Sequence, residues 1–307
     1  MNPDPPFVPR SKLAPALAPA LLERERLQAL LTPLCLRRLA LVVAGAGSGK
    51  TTFVAQALRS LAMDHAWLGL DAHDRDCRVF LYGLVCAIRE RYADFGAAVL
   101  QQLDRLPAMP DQEAFSRRGG PLDALLHALD TEITGHLALV LDDFHLLFEV
   151  REDAEVLEAV EYLLPRLPRT AHLVIASRTL PPLRLSRLRA GREVLDIGPG
   201  ELAFTREESA ALCRMFAPET LAPEHLDTIH ARTEGWAAAL ILACGDAPRP
   251  SRPGESAASA PVRFPGDPVH HYIEENIFAS QPARVRKFML TTAVLPWLEP
   301  ELCDDLC

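Results

Sequence analysis

Eight consecutive residues, Ala44-Gly45-Ala46-Gly47-Ser48-Gly49-Lys50-Thr51, bring small side chains together with one ammonium and one hydroxyl. A glycine-rich turn that opens a helix aims successive backbone N–H groups at one point, which is what a row of phosphates requires. Gly45, Gly47 and Gly49 supply the conformational freedom of such a turn. Lys50 is placed to reach the β- and γ-phosphates and the Thr51 hydroxyl to ligate Mg²⁺, with Ala46, Ser48 and Thr52 completing the cradle. The strict pattern starts with glycine, whereas position 44 is alanine; the glycine that the chemistry needs is Gly49, directly before Lys50. The expected ligand is ATP or ADP with Mg²⁺.

Leu137–Leu141 is apolar and runs into Asp142 and Asp143. Two acids at a strand end also serve as a solvated turn or a helix cap. Downstream of a phosphate loop they suit a different role, in which Asp142 holds the Mg²⁺ shell and Asp143 orients or deprotonates an attacking water. Lys50 and Asp143 are thus the candidate catalytic residues, and Thr51 and Asp142 the candidate metal ligands. A third apolar run, His172–Ala176, leads into Ser177 and Arg178 at the strand edge where ligands bind in open α/β sheets. Arg178 is a candidate γ-phosphate sensor, while Arg184, Arg187 and Arg189 read as solvated.

The elements needed to position these groups are legible as an alternation. Short apolar runs at 38–44, 66–70, 137–141, 172–176 and 194–197 read as buried strands. Between them, 50–61, 79–92, 121–133 and 154–167 carry apolar residues at helical spacing. This predicts an α/β fold, a parallel five-stranded sheet flanked by helices. The expected domains are an extended N-terminal arm (1–20), a P-loop nucleotide-binding domain (21–200), a helical domain (201–244), a linker (245–267) and a last piece (268–307) that stops part-way through its fold. Thr205 and Glu208 fit a capping box at the start of the helical domain, and 269–278 and 283–293 read as helices. The segment 245–267 is dense in Pro, Gly, Ser and Ala.

A net charge of −9 argues against a broad basic surface for nucleic acid. The seven cysteines are scattered, with no CxxC pair, and read as buried or incidental thiols. No signal-peptide pattern is present and no apolar run reaches the roughly 18 residues of a membrane span. A cytoplasmic protein with no membrane partner is expected.

Several pieces together, Ser11-Lys12-Leu13, Arg24–Leu27, the phosphate loop, WLGLDAHDRD at 67–76, LVLDDFHLL at 139–147, HLVIASR at 172–178, ELAFTREE at 201–208 and TEGW at 233–236, resemble one family. This is the family of large ATP-dependent LuxR-type transcriptional regulators, of the maltose-activator kind, within the STAND class of signalling NTPases. The resemblance implies a nucleotide-binding domain, a helical domain and a winged-helix domain whose opening is 268–307, then a helical-repeat sensor and a DNA-binding helix-turn-helix outside this chain. It implies an ATP-bound form that self-associates, an ADP-bound resting form, slow hydrolysis as the reset, and an inducer acting on the sensor. It assigns Gly49, Lys50, Thr51, Asp142, Asp143 and Arg178 to phosphate, metal and sensing roles, and brings Arg24 and the Gly235-Trp236 pair near the nucleotide. Trp236 reads equally well as a helix anchor. Gly45 stands where the family usually has proline. The rival readings are a turnover ATPase or kinase, for which no acceptor pocket is discernible, and a STAND scaffold that binds proteins and not DNA.

Overall fold

The strands form around short runs of apolar residues, largely leucine, valine, isoleucine and alanine. In the computed structural model they are β1 (Leu39–Val43), β2 (Asp64–Gly69), β3 (Leu137–Asp142), β4 (Ala171–Ser177) and β5 (Val194–Ile197). The structure describes residues 6–18, 21–107, 113–149, 155–216, 223–245, 268–279, 281–295 and 297–306. The expected linker therefore lies, from 246 on, outside the described residues. All five strands are parallel, in the order β2-β3-β4-β1-β5.

Both faces of this sheet are covered, which is why the inner strands β1, β3 and β4 are mostly apolar and not alternating, whereas the edge strands β2 and β5 carry Asp64, His65 and Asp196. Leu39 and Leu41 of β1 and Leu139 and Leu141 of β3 enter one core. That core contains side chains of α3 (Cys77–Arg89), α4 (Ala97–Arg105), α6 (Pro121–Thr131) and α7 (Glu155–Leu163). Ala40, Val42, Ala138 and Val140 face the other way, toward α1 (Glu25–Leu31) and α2 (Lys50–Ser60). The short helices α5 (Glu113–Ser116), α8 (Ser186–Ala190) and α9 (Pro199–Leu202) complete this part. The expected arm is not simply extended. Arg10–Lys12 forms a 3-10 turn, and the Lys12 ammonium pairs with the buried carboxylate of Asp74.

The chain divides into two compact units, Met1–Ala203 and Phe204–Cys307. The second begins with the predicted capping box: the Thr205 N–H donates to Glu208 Oε2 at 2.9 Å, and the Glu208 N–H donates to Thr205 Oγ1 at 3.2 Å. It opens helix α10 (Arg206–Phe216), followed by α11 (Pro223–Thr233) and α12 (Ala237–Gly245). Cys213 of α10 and Cys244 of α12 form a disulfide, with Cα atoms 5.2 Å apart. This corrects the expectation of incidental thiols. Spacing along the chain hides a pair that becomes adjacent only when α10 and α12 pack. Trp236, just before α12, meets the ring of Tyr272 at 5.8 Å in α13 (Pro268–Ile273). A π-turn, Glu274–Phe278, continues α13, followed by α14 (Ala283–Thr292) and α15 (Pro300–Leu306), the last not anticipated. No helix among the described residues is long and apolar enough to cross a membrane.

Candidate functional site

The strand order places three chemical segments side by side, because β4 lies between β1 and β3. The loop after β1 carries 44–51, the end of β3 carries Asp142 and Asp143, and the end of β4 carries Ser177 and Arg178. All three emerge at the carboxyl edge of one parallel sheet.

Within the loop, Gly47 (φ 68°) and Gly49 (φ 82°) adopt the left-handed conformation that other residues resist, so these two positions require glycine. Gly45 does not, since a Cβ there would meet nothing within 4 Å. The Ser48 hydroxyl donates to the Gly45 carbonyl at 2.9 Å, bracing the turn. Gly49 is the N-cap of α2, so the first turn, Lys50 to Thr52, presents its amides and the positive end of the helix dipole to the loop.

The Lys50 side chain is buried and folds back over the loop, donating to the carbonyls of Ala44 at 2.9 Å and Gly45 at 3.0 Å. Desolvation lowers its pKa, as does the charge of Arg178, against the opposing pull of Asp143 and Asp142. An ammonium in this setting gains a great deal from an added anion. Thr51 Oγ1 donates to Asp142 Oδ2 at 2.8 Å, bringing the two expected metal ligands into contact. Burial raises the Asp142 pKa, and the neighbouring Asp143 adds to it, while the Thr51 hydrogen bond and Lys50 oppose them. A buried carboxylate held up in this way favours a cation. Hydroxyl and carboxylate oxygens are the hard donors that Mg²⁺ takes, so the residues present fit the expected metal and triphosphate.

Asp143 is half exposed and adopts a left-handed backbone (φ 54°). Its N–H donates to Asp142 Oδ1 at 3.0 Å. Asp143 opens a 3-10 turn, Phe144–Leu147, that contains a residue missed by the sequence reasoning: His145. Its ring is 1% exposed, its Nδ1 has no hydrogen-bond partner, and that Nδ1 faces Asp143 Oδ1 from 3.9 Å. Burial, reinforced by the charges of Arg178 and Lys50, pulls its pKa down to about 4, so the ring is neutral near pH 7. The signal was present in LVLDDFHLL, where the histidine sits two residues past the second acid. Arg178 follows β4 at this same sheet edge, and its charge acts on both Lys50 and His145.

Arg24 is the N-cap residue of α1. Its guanidinium donates to the carbonyls of Leu202 at 2.9 Å and Ala203 at 2.8 Å, joining the start of α1 to the end of α9. Gly235 and Trp236 belong to the second unit. There Gly235 (φ 75°) lies against the Phe204 backbone, whose N–H donates to the Gly235 carbonyl at 2.9 Å. The ring contact of Trp236 with Tyr272 supports the anchor reading.

Residues 22–176 match the AAA ATPase domain family, and residues 273–307 match the MalT winged helix domain. The chain is 30% identical over 277 residues to the HTH-type transcriptional regulator MalT of Serratia proteamaculans, covering 89% of this chain and 29% of that protein. It is 30% identical over 279 residues to the MalT of Yersinia enterocolitica, with the same coverage of 89% and 29%. The chain thus spans less than a third of these relatives. Among solved structures it resembles a STAND protein with a tetratricopeptide repeat sensor from Pyrococcus horikoshii. The TM-score there is 0.52 at 15% identity, over 94% of this chain and 37% of that one.

Proposed function

We propose, on the premise that this chain belongs to the AAA ATPase domain family, that it is the ATP/ADP-binding switch module of a signal-responsive transcriptional regulator and a slow ATPase. The observation that carries the reading is the convergence of Lys50, the Thr51–Asp142 pair, Asp143 and Arg178 at one sheet edge. The MalT relatives support the regulatory part. In this reading ATP favours a self-associated, active form, DNA is reached only through a domain outside these residues, and an inducer acts elsewhere in the longer protein.

Loop amides and Lys50 bind the phosphates, with the Lys50 ammonium leaving its two carbonyl partners for the anion. Thr51 and Asp142 hold Mg²⁺, which, when bound, neutralises charge on the transferring phosphoryl group. Asp143 orients the attacking water and accepts its proton. The neutral His145 ring steadies Asp143, and Arg178 reads the γ-phosphate.

Calorimetry on two variants tests this. Lys50→Ala should lose most nucleotide affinity, because the phosphates lose their main cation; unchanged binding would sink the assignment of the loop. Asp143→Asn should keep binding and lose hydrolysis. Loss of both together would make Asp143 a metal ligand or a folding residue.

A further inference from the structure

We propose that Arg75 and Lys12 are positioning residues: the N-terminal segment straps the turn after β2, and that turn holds the backbone of the turn carrying Asp143. The inference rests on the reading of Asp143 as the water-orienting residue.

The two turns are neighbours because β2 pairs with β3 in a register that sets Gly69 beside Asp142. The Leu70 N–H donates to the Asp142 carbonyl at 3.0 Å, so the chains leave the sheet together. Arg75 then closes the link. Its Nε and Nη2 both donate to the Leu146 carbonyl, at 2.9 and 2.6 Å. Leu146 in turn donates its N–H to the Asp143 carbonyl at 3.0 Å. One guanidinium thus grips the far end of the short turn whose near end is Asp143.

The grip matters because Asp143 is a non-glycine residue in the left-handed region, a conformation that persists only when its surroundings over-determine it. Arg75 is itself placed by a charged turn. The Asp71 N–H donates to Asp74 Oδ2 at 2.7 Å, and the His73 N–H to Asp71 Oδ1 at 2.8 Å, which closes a reciprocal cap over residues 71–74. Asp74 is 1% exposed, and a carboxylate this buried needs a cation. Lys12 supplies it, pairing with Asp74 and also with Asp71 at 3.2 Å. The Lys12 backbone lies across the end of β2, with its carbonyl 3.6 Å from where a Cβ on Gly69 would be. Neither Lys12 nor Arg75 belongs to the phosphate or metal set, so each acts through the Asp143 turn.

The test pairs backbone hydrogen exchange with single-turnover hydrolysis and ADP titration on the 307-residue chain. Arg75→Met should raise exchange over residues 144–148 about tenfold or more, since the turn loses its clamp. Hydrolysis should slow about tenfold or more from misplacement of Asp143, with the ADP Kd within about twofold of wild type. Arg75→Lys, which keeps one donor, should recover part of both effects. Lys12→Met should move both readouts the same way, and it serves as the second variant if Arg75→Met does not fold. Unchanged exchange over 144–148 in these variants would overturn the strap, as would faster exchange with an unchanged rate of hydrolysis. A wild-type chain that binds ADP but never hydrolyses ATP would sink the hydrolysis reading alone, and the exchange data would still decide the strap.

Discussion

A polar atom buried without a partner costs about 1–3 kcal/mol, so its presence needs a reason. Nδ1 of His145 is such an atom, and it faces a carboxylate oxygen from 3.9 Å, just beyond hydrogen-bond reach. A small rotation of Asp143 or of the ring closes that gap. In the proposed reading, that pairing would steady Asp143 as it works on a water. Because the His145 pKa is held near 4, the ring that faces Asp143 is neutral near pH 7. His145→Ala is expected to keep ADP affinity within about twofold and to slow hydrolysis about a hundredfold, within the range for a lost general-base interaction. Phosphate release in single turnover measures it. An unaltered rate would make the buried nitrogen a packing defect with no catalytic part. Sequence alone pointed to Asp143 and not to His145, since a histidine beside an acid says nothing about which of its nitrogens lacks a partner.

At the scale of elements, β3 and β4 were legible because a strand covered on both faces is apolar at most of its positions. Helix α2 was legible because Gly49-Lys50 marks its first turn. Helix α4 and the terminal α15 were not. Helix α4 buries only Val99 and Leu103, too few to announce a period, and α15 is just Pro300–Leu306. The TEGW motif was visible as a pattern, but its physical cause was not. Gly235 has φ 75°, and a Cβ there would stand 2.3 Å from the Phe204 carbonyl oxygen and 2.8 Å from its nitrogen. Both contacts are with backbone, which cannot rotate aside. Gly235→Ala should therefore destabilise the second unit by about 3 kcal/mol or more, adding a steric clash to left-handed strain. Denaturant unfolding followed by the exposure of Trp236 would show it, and a variant with the wild-type midpoint would refute the close crossing of Phe204.

At the scale of the whole chain, the parallel sheet was legible, but the insertion of β4 between β1 and β3 was not. Nothing local in the strands encodes their neighbours, and it is this order that joins Arg178 to Lys50 and Asp142. The opposite edge of the same sheet carries a second, partly buried network that ties the first unit to pH. His172 Nδ1 lies 2.7 Å from the Arg37 carbonyl, an acceptor, so Nδ1 carries the proton and Nε2 accepts from His136 Nδ1 at 2.7 Å. Burial lowers the His172 pKa, and the nearby His136 lowers it further, while the bond to Arg37 opposes both. His145 is lowered too, to about 4. Below an ordinary histidine pKa of about 6.5 the unfolded chain takes up protons that the folded unit refuses, so stability rises with pH in this window. The contribution is complete above about pH 6.5 and drains away as pH falls through the two depressed values. Between pH 7.5 and 5 the melting temperature of the first unit should fall by about 5 °C or more. His172→Gln, whose amide can still donate to Arg37 and accept from His136, should flatten part of that slope. A melting temperature independent of pH across this range would show that the two rings titrate as freely as they do in the unfolded chain, and the network would then contribute nothing to the acid sensitivity of the fold.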